Sequence, residues 1–189
     1  MTKLRERAFI RFLLFLFSLT VIFSCAAAPL REGSALFEKK LPPLSCREDG
    51  KSVPIESMKG SPFLLYVRAP WCPICEETDG FFRFPSISVD LTGDVSLVVI
   101  SLLNGYSAGG TPVASPKPWS EDPQFTPYEG SWKRILLCTS PEEEFLDEAS
   151  EERVPLLLAV NREGKVVARI PGTGPDLTSG VLSALRKLR

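Results

Sequence analysis

The sequence predicts an α/β domain, a central mixed β-sheet flanked by helices with an N-terminal hairpin extension, and three observations predict it. The continuous apolar run Phe63–Val67 and the largely apolar Val95–Leu103 have the pattern of strands buried on both faces. Helix signals follow Cys72, Ser140 and Pro175. Leu156–Val160 and Lys165–Ile170, joined by Asn161-Arg162-Glu163-Gly164, read as a hairpin. The order strand, helix, strand, helix, strand, strand, helix is that of a layered sheet, and no internal repeat interrupts it.

The first segment is an address. Met1 to Arg11 sets Lys3, Arg5, Arg7 and Arg11 against Glu6, and the charge-free run Phe12–Phe23 is well short of the roughly 20 residues a membrane-crossing helix needs. Residues 1–24 therefore read as a secretory signal peptide. Cys25, after Ser24 and before Ala26-Ala27-Ala28, resembles the cysteine of a bacterial lipobox and is the expected lipid-attachment site, which would hold the chain to a membrane. Plain secretion and an uncleaved anchor are the alternatives. All three put the remainder outside the cytoplasm, where disulfides persist. Residues 25–40 are mixed and weakly patterned and read as a tether, leaving 41–189 as the domain.

Within the domain, Leu41–Val53 holds the turn signal Asp49-Gly50 between short apolar segments, which predicts an edge hairpin. The strand Phe63–Val67 ends at Arg68-Ala69-Pro70. Trp71-Cys72-Pro73-Ile74-Cys75 then opens a helix, with Pro73 suited to the first turn and Ile74, Phe81 and Phe82 at helical spacing; Pro85 closes it. After the second buried strand, residues 104–132 contain so many Gly and Pro that they predict an irregular insertion, either a lid or a solvated loop, part of which Trp119, Phe125, Tyr128 and Trp132 would anchor. Ile135–Cys138 is a short strand. Ser140, Pro141 and Glu143 form a capping box that starts a helix over 141–150, whose acidic first turn needs no ligand to explain it. The last helix carries Leu177, Val181, Leu182, Leu185 and Leu188 on one stripe.

Composition narrows the chemistry. The chain has 189 residues, 44% hydrophobic and 24% charged, values suited to one globular domain. Lys plus Arg is 22 and Asp plus Glu 23, so there is no basic field with which to hold nucleic acid. Histidine is absent, which removes the commonest general base and the commonest metal ligand, and five cysteines remain.

Cys72 and Cys75 stand at i and i+3 of a helix start, close enough for one disulfide to open and close without unfolding the domain. Unpaired N–H groups and the positive end of the helix dipole favour a thiolate on Cys72, the species that attacks a disulfide. Cys72 is the candidate nucleophile and Cys75 the resolving thiol. A zinc site would need Cys46 and Cys138 as well, and an inert structural disulfide is the simpler alternative. Cys46 and Cys138 themselves read first as small buried hydrophobes, with a bridging role second.

The segments FLLYVRAPWCPIC and VPLLLAVNREGKVVARIPG, with Asp49-Gly50-Lys51 and Lys59-Gly60 in the same order, resemble the thioredoxin-like superfamily, especially the membrane-tethered branch that handles extracytoplasmic disulfides and includes the cytochrome c maturation reductases. The resemblance covers most of residues 41–188. It implies a thioredoxin-like fold and an extracytoplasmic thiol–disulfide oxidoreductase that exchanges the Cys72–Cys75 couple with cysteines of client proteins, in the reducing direction. It implies that Pro155 is cis and lies against the active-site disulfide, that the main chain at Val154 pairs with a bound client, and that Trp71 shapes the contact surface. It further implies recharging by a membrane redox donor; the disulfide itself carries the two electrons, so no small-molecule cofactor is needed, and the absent histidines and balanced charge leave metal and nucleic acid outside the expectation. Tyr66 stands where many members keep a buried acid that helps move the resolving proton, so that help must be lacking or come from elsewhere. Arg68 favours a thiolate nearby, whereas Glu76 and Glu77 oppose it. The alternative is a non-catalytic lipoprotein of the same fold that binds proteins through the long loop.

Overall fold

The computed structural model describes residues 30–38, 44–69, 72–83, 92–102, 104–106, 112–114, 132–140 and 154–189. Seven strands form one sheet in the order β2-β1-β7-β4-β3-β8-β9: β1 (Ser45–Glu48), β2 (Lys51–Ser52), β3 (Phe63–Arg68), β4 (Ser96–Leu102), β7 (Ile135–Ser140), β8 (Leu156–Val160) and β9 (Val166–Pro171). The strands β3, β4 and β7 run parallel, and β1, β8 and β9 pair antiparallel to their neighbours, so the sheet is mixed as expected. Every residue of β3, β4 and β8 is buried, which is why these segments read as largely apolar runs.

Both faces of the sheet are covered. On one, Leu64, Tyr66, Leu97, Val99 and Leu157 pack against Phe82 of α1 (Pro73–Arg83) and Val181, Ala184 and Leu185 of α2 (Leu177–Lys187). On α2, Ala184 completes the buried stripe and Leu182 is half-exposed, a small correction to the expected face. The other face, with Phe63, Leu65, Val67, Ile100 and Cys138, is covered in part by Leu30, Leu36 and Met58.

The tether expected as far as residue 40 is shorter than that. Gly33 N–H donates to Val166 O at 2.7 Å, Leu36 N–H to Gly164 O at 2.8 Å, and Ala35 bridges Lys165, so residues 30–38 dock beside β9. Leu30 and Leu36 are buried, and the Phe37 ring lies 6.1 Å from that of Phe63. Apolar side chains spaced along a polar segment were enough to seat it.

The predicted edge hairpin is β1–β2, turning at Asp49 (φ 48°) and Gly50 (φ 77°), the left-handed pair such a tight turn requires. The predicted C-terminal hairpin is β8–β9, where the Asn161 side chain accepts the Lys165 N–H at 2.9 Å. The insertion is less irregular than expected: β5 (Asn104–Tyr106) and β6 (Pro112–Ala114) pair as a small antiparallel hairpin. The rest of that insertion up to residue 131, the helix expected over 141–150 and residues 1–29 lie outside the described residues.

Two links fasten the N-terminal hairpin to the sheet. Cys46 and Cys138, directly opposite across β1 and β7, form a disulfide with Cα atoms 3.9 Å apart; it corrects the expectation that these were unpaired buried hydrophobes. Arg134 also grips Glu48 with two charge-assisted hydrogen bonds of 2.6 Å and reaches the Ser57 carbonyl at 3.2 Å. These hydrogen bonds hold the Glu48 carboxyl below the usual carboxylate range. A depressed folded-state value means that the clamp contributes fully above the unfolded value near 4.5 and is lost as pH falls through the lower folded one. Glu48→Gln is therefore expected to lower stability by about 1 kcal/mol at pH 7. The gap between variant and native chain should begin to narrow in denaturation curves as pH falls below 4.5 and close below the lower folded value; a gap that does not narrow with falling pH would show that the charge is not what Glu48 contributes.

Candidate functional site: a dithiol at a helix start

β3 ends at Arg68 and α1 begins at Pro73, so Cys72 stands just before the helix and Cys75 in its first turn. Cys72 and Cys75 are joined by a disulfide with Cα atoms 5.3 Å apart. The Cys75 N–H donates to Cys72 Sγ at 3.2 Å, so an amide at the start of the helix faces the sulfur of the residue read as the nucleophile. Cys72 is 8% exposed and Cys75 0%, an asymmetry that makes Cys72 the sulfur a second polypeptide reaches first.

The Val154–Pro155 segment lies against this sulfur. The Val154–Pro155 peptide bond is cis, and the Val154 carbonyl oxygen is 3.7 Å from Cys72 Sγ. The structure thus places Cys72 and Cys75 beside the Val154–Pro155 segment. Trp71, read with them, and Cys25, read as the lipid site, lie outside the described residues.

Three residues of the site were not found from the sequence. Gly172, just beyond β9, packs so tightly on the segment that a Cβ built there would collide with the Pro155 carbonyl oxygen and ring. Its own carbonyl accepts the Thr78 hydroxyl of α1 at 2.6 Å, so Gly172 ties the helix that carries the cysteines to the loop that faces them. Gly172→Ala is accordingly expected to displace Val154–Pro155 from Cys72, at a cost of about 1–3 kcal/mol from overpacking. A melting curve lowered together with a slower reaction with a model disulfide supports that role; an alanine variant matching the native chain in both would remove it.

The third is Asp79. Asp79 Oδ2 pairs with Arg68 Nη2 at 2.8 Å, which helps a carboxylate to be tolerated on the inner face of α1, where it is 2% exposed. Tyr66 OH donates to Asp79 Oδ1 at 2.9 Å and lies 3.2 Å from the Cys75 carbonyl oxygen. The strand position that lacks an acid is therefore partnered by an acid from the helix. The buried stripe of α1 is Cys75, Thr78, Asp79 and Phe82, while Ile74, expected on the apolar face, is 51% exposed beside the cysteines.

Neither a family model nor a curated protein sequence matches the chain. Solved structures do. The solution structure of a candidate protein disulfide isomerase from Bacteroides thetaiotaomicron aligns with a TM-score of 0.56 at 16% identity, over 84% of this chain and 90% of its own. The crystal structure of a candidate thiol:disulfide interchange protein, DsbE, from Chlorobium tepidum aligns with a TM-score of 0.54 at 18% identity, over 82% of this chain and 99% of its own. At these identities the likeness concerns architecture: the chain has a thioredoxin-like α/β fold.

Proposed function

We propose that the chain is an extracytoplasmic thiol–disulfide oxidoreductase that reduces disulfides of client proteins. The observation that carries the reading is the position of Cys72 Sγ, between the Cys75 N–H at 3.2 Å and the Val154 carbonyl oxygen at 3.7 Å, on the more exposed member of a Cys-x-x-Cys pair. The names of the two similar structures, a protein disulfide isomerase and a thiol:disulfide interchange protein, support it.

In the reduced chain the Cys72 thiolate attacks one sulfur of a client disulfide, and the other client sulfur leaves with the electron pair and takes up a proton. Cys75, losing its proton, then attacks Cys72 Sγ in the mixed disulfide and releases the second client sulfur as a thiol. The client gains two electrons and two protons, and Cys72–Cys75 returns to the disulfide. The main chain at Val154 and Pro155, with the exposed Ile74, makes the surface on which the client lies, and Trp71 shapes it. A membrane dithiol donor recharges the pair, and Cys25 carries the lipid that holds the chain to the membrane. A second disulfide, Cys46–Cys138, supports an oxidising compartment independently of the N-terminal signal.

The test is equilibration of the purified chain with glutathione, followed by reduction of insulin with and without alkylation of Cys72. Exchange that alkylation abolishes supports the reading. A reduced chain that exchanges with neither glutathione nor a model disulfide is a binding module of this fold, and a strongly oxidising equilibrium would reverse the direction of electron flow.

A further inference from the structure

We propose that the buried pair Arg68–Asp79 sets the charge felt by the active-site sulfurs, each member opposing the other. The proposal rests on the thiol–disulfide reading of Cys72 and Cys75. Arg68 ends β3, four residues before Cys72, and Asp79 stands one helical turn beyond Cys75 on α1. Their side chains meet at 2.8 Å while only 10% and 3% exposed. Tyr66 couples them to the first turn of the helix, 2.9 Å from the Asp79 carboxylate and 3.2 Å from the Cys75 carbonyl oxygen. Charges this deep are weakly screened by salt, and Tyr66 places the carboxylate within two hydrogen bonds of the Cys75 main chain.

The signs follow from electrostatics. Reduction adds two electrons and two protons to the disulfide, after which Cys72, at the helix start, gives one proton to water and becomes a thiolate. A guanidinium favours that thiolate and a carboxylate opposes it. A stabilised thiolate stabilises the reduced form and so makes the disulfide a stronger oxidant. With both charges present the two fields offset each other, and the helix amides dominate. Among the described residues, the other ionisable side chains on the elements around the pair include Glu76 and Glu77, exposed on α1, and Arg169, half-buried on β9; none of them changes between the variants compared.

The experiment takes the full chain, Asp79→Asn, Arg68→Gln, the double variant and Asp79→Glu. It follows the Cys72 thiolate by its ultraviolet absorbance against pH and the disulfide by its equilibrium with glutathione. Asp79→Asn is expected to move the thiol titration down by about half a unit to one unit and the equilibrium toward a stronger oxidant. Arg68→Gln moves both the other way, the double variant returns toward the native values, and Asp79→Glu stays near them. Single variants that shift in the same direction, or not at all, overturn the proposal, because loss of packing has no reason to follow the sign of the charge. If one single variant does not fold, the other and the double variant still decide the sign. A native chain that never equilibrates with glutathione removes the functional reading instead, before any variant is compared.

Discussion

Cys72→Ser is expected to abolish disulfide reduction by the chain, with a loss on the order of a thousandfold or more in the rate of insulin reduction, the scale found when a covalent nucleophile is removed. The asymmetry of the pair is the reason. Cys72 Sγ receives the helix-start amide at 3.2 Å and belongs to the more exposed residue, whereas Cys75 is fully buried. Cys75→Ser should behave differently: its Cys72 still attacks, but the mixed disulfide has no internal thiol to resolve it and accumulates. Non-reducing gels should therefore show a covalent adduct with a disulfide-bonded client for Cys75→Ser and none for Cys72→Ser. Adducts formed by Cys72→Ser, or full activity in it, would transfer the nucleophile to Cys75 or end the catalytic reading.

Removing the second disulfide should have the largest effect on stability. Cys46 and Cys138 are 92 residues apart in sequence, and closing a loop of that size lowers the entropy of the unfolded chain by the equivalent of about 4–5 kcal/mol. Cys46→Ala/Cys138→Ala is expected to lose most of that stability in chemical denaturation, a large share of what a domain of this size has. The Glu48–Arg134 clamp and the β1–β7 ladder remain to hold the hairpin. The Cys72–Cys75 site, in the same apolar cluster but elsewhere in it, should retain its exchange with glutathione. Burial also predicts an order of reduction. Cys46 is 2% and Cys138 0% exposed against 8% for Cys72, so a mild reductant acting on the folded chain should open Cys72–Cys75 first, as read by alkylation of the freed thiols. A double variant that unfolds at the native denaturant concentration would mean that the bond adds nothing to the fold.

The elements that could be read from the sequence were those whose chemistry is local. The apolar runs of β3 and β4, the left-handed turn at Asp49-Gly50, Pro73 in the first turn of α1 and the Asn161–Gly164 turn each carry their cause within a few residues. Cys72 and Cys75 belong to the same class, because a spacing of three at a helix start brings two sulfurs together whatever surrounds them. The misreadings have a different origin. Apolar spacing alone puts Ile74 on the buried face, but that face holds Cys75, Thr78 and Asp79, whose polar atoms are satisfied by Gly172, Tyr66 and Arg68. Hydrophobicity alone does not reveal a buried polar stripe whose partners lie on other elements.

The amino-acid order by itself determined an α/β sheet with its principal buried strands and both hairpins, and a reactive pair at the head of a helix, because periodicity, turn residues and short spacings act over one or two turns of chain. Only the tertiary structure decided which cysteine partners which across 92 residues, that Asp79 is buried against Tyr66 and Arg68, and that Gly172 must be bare to let Pro155 approach. Those are contacts between segments far apart in sequence. They exist only once the sheet has set the register between strands that no short turn joins, and the turn chemistry that fixes a hairpin's register does not act between such strands.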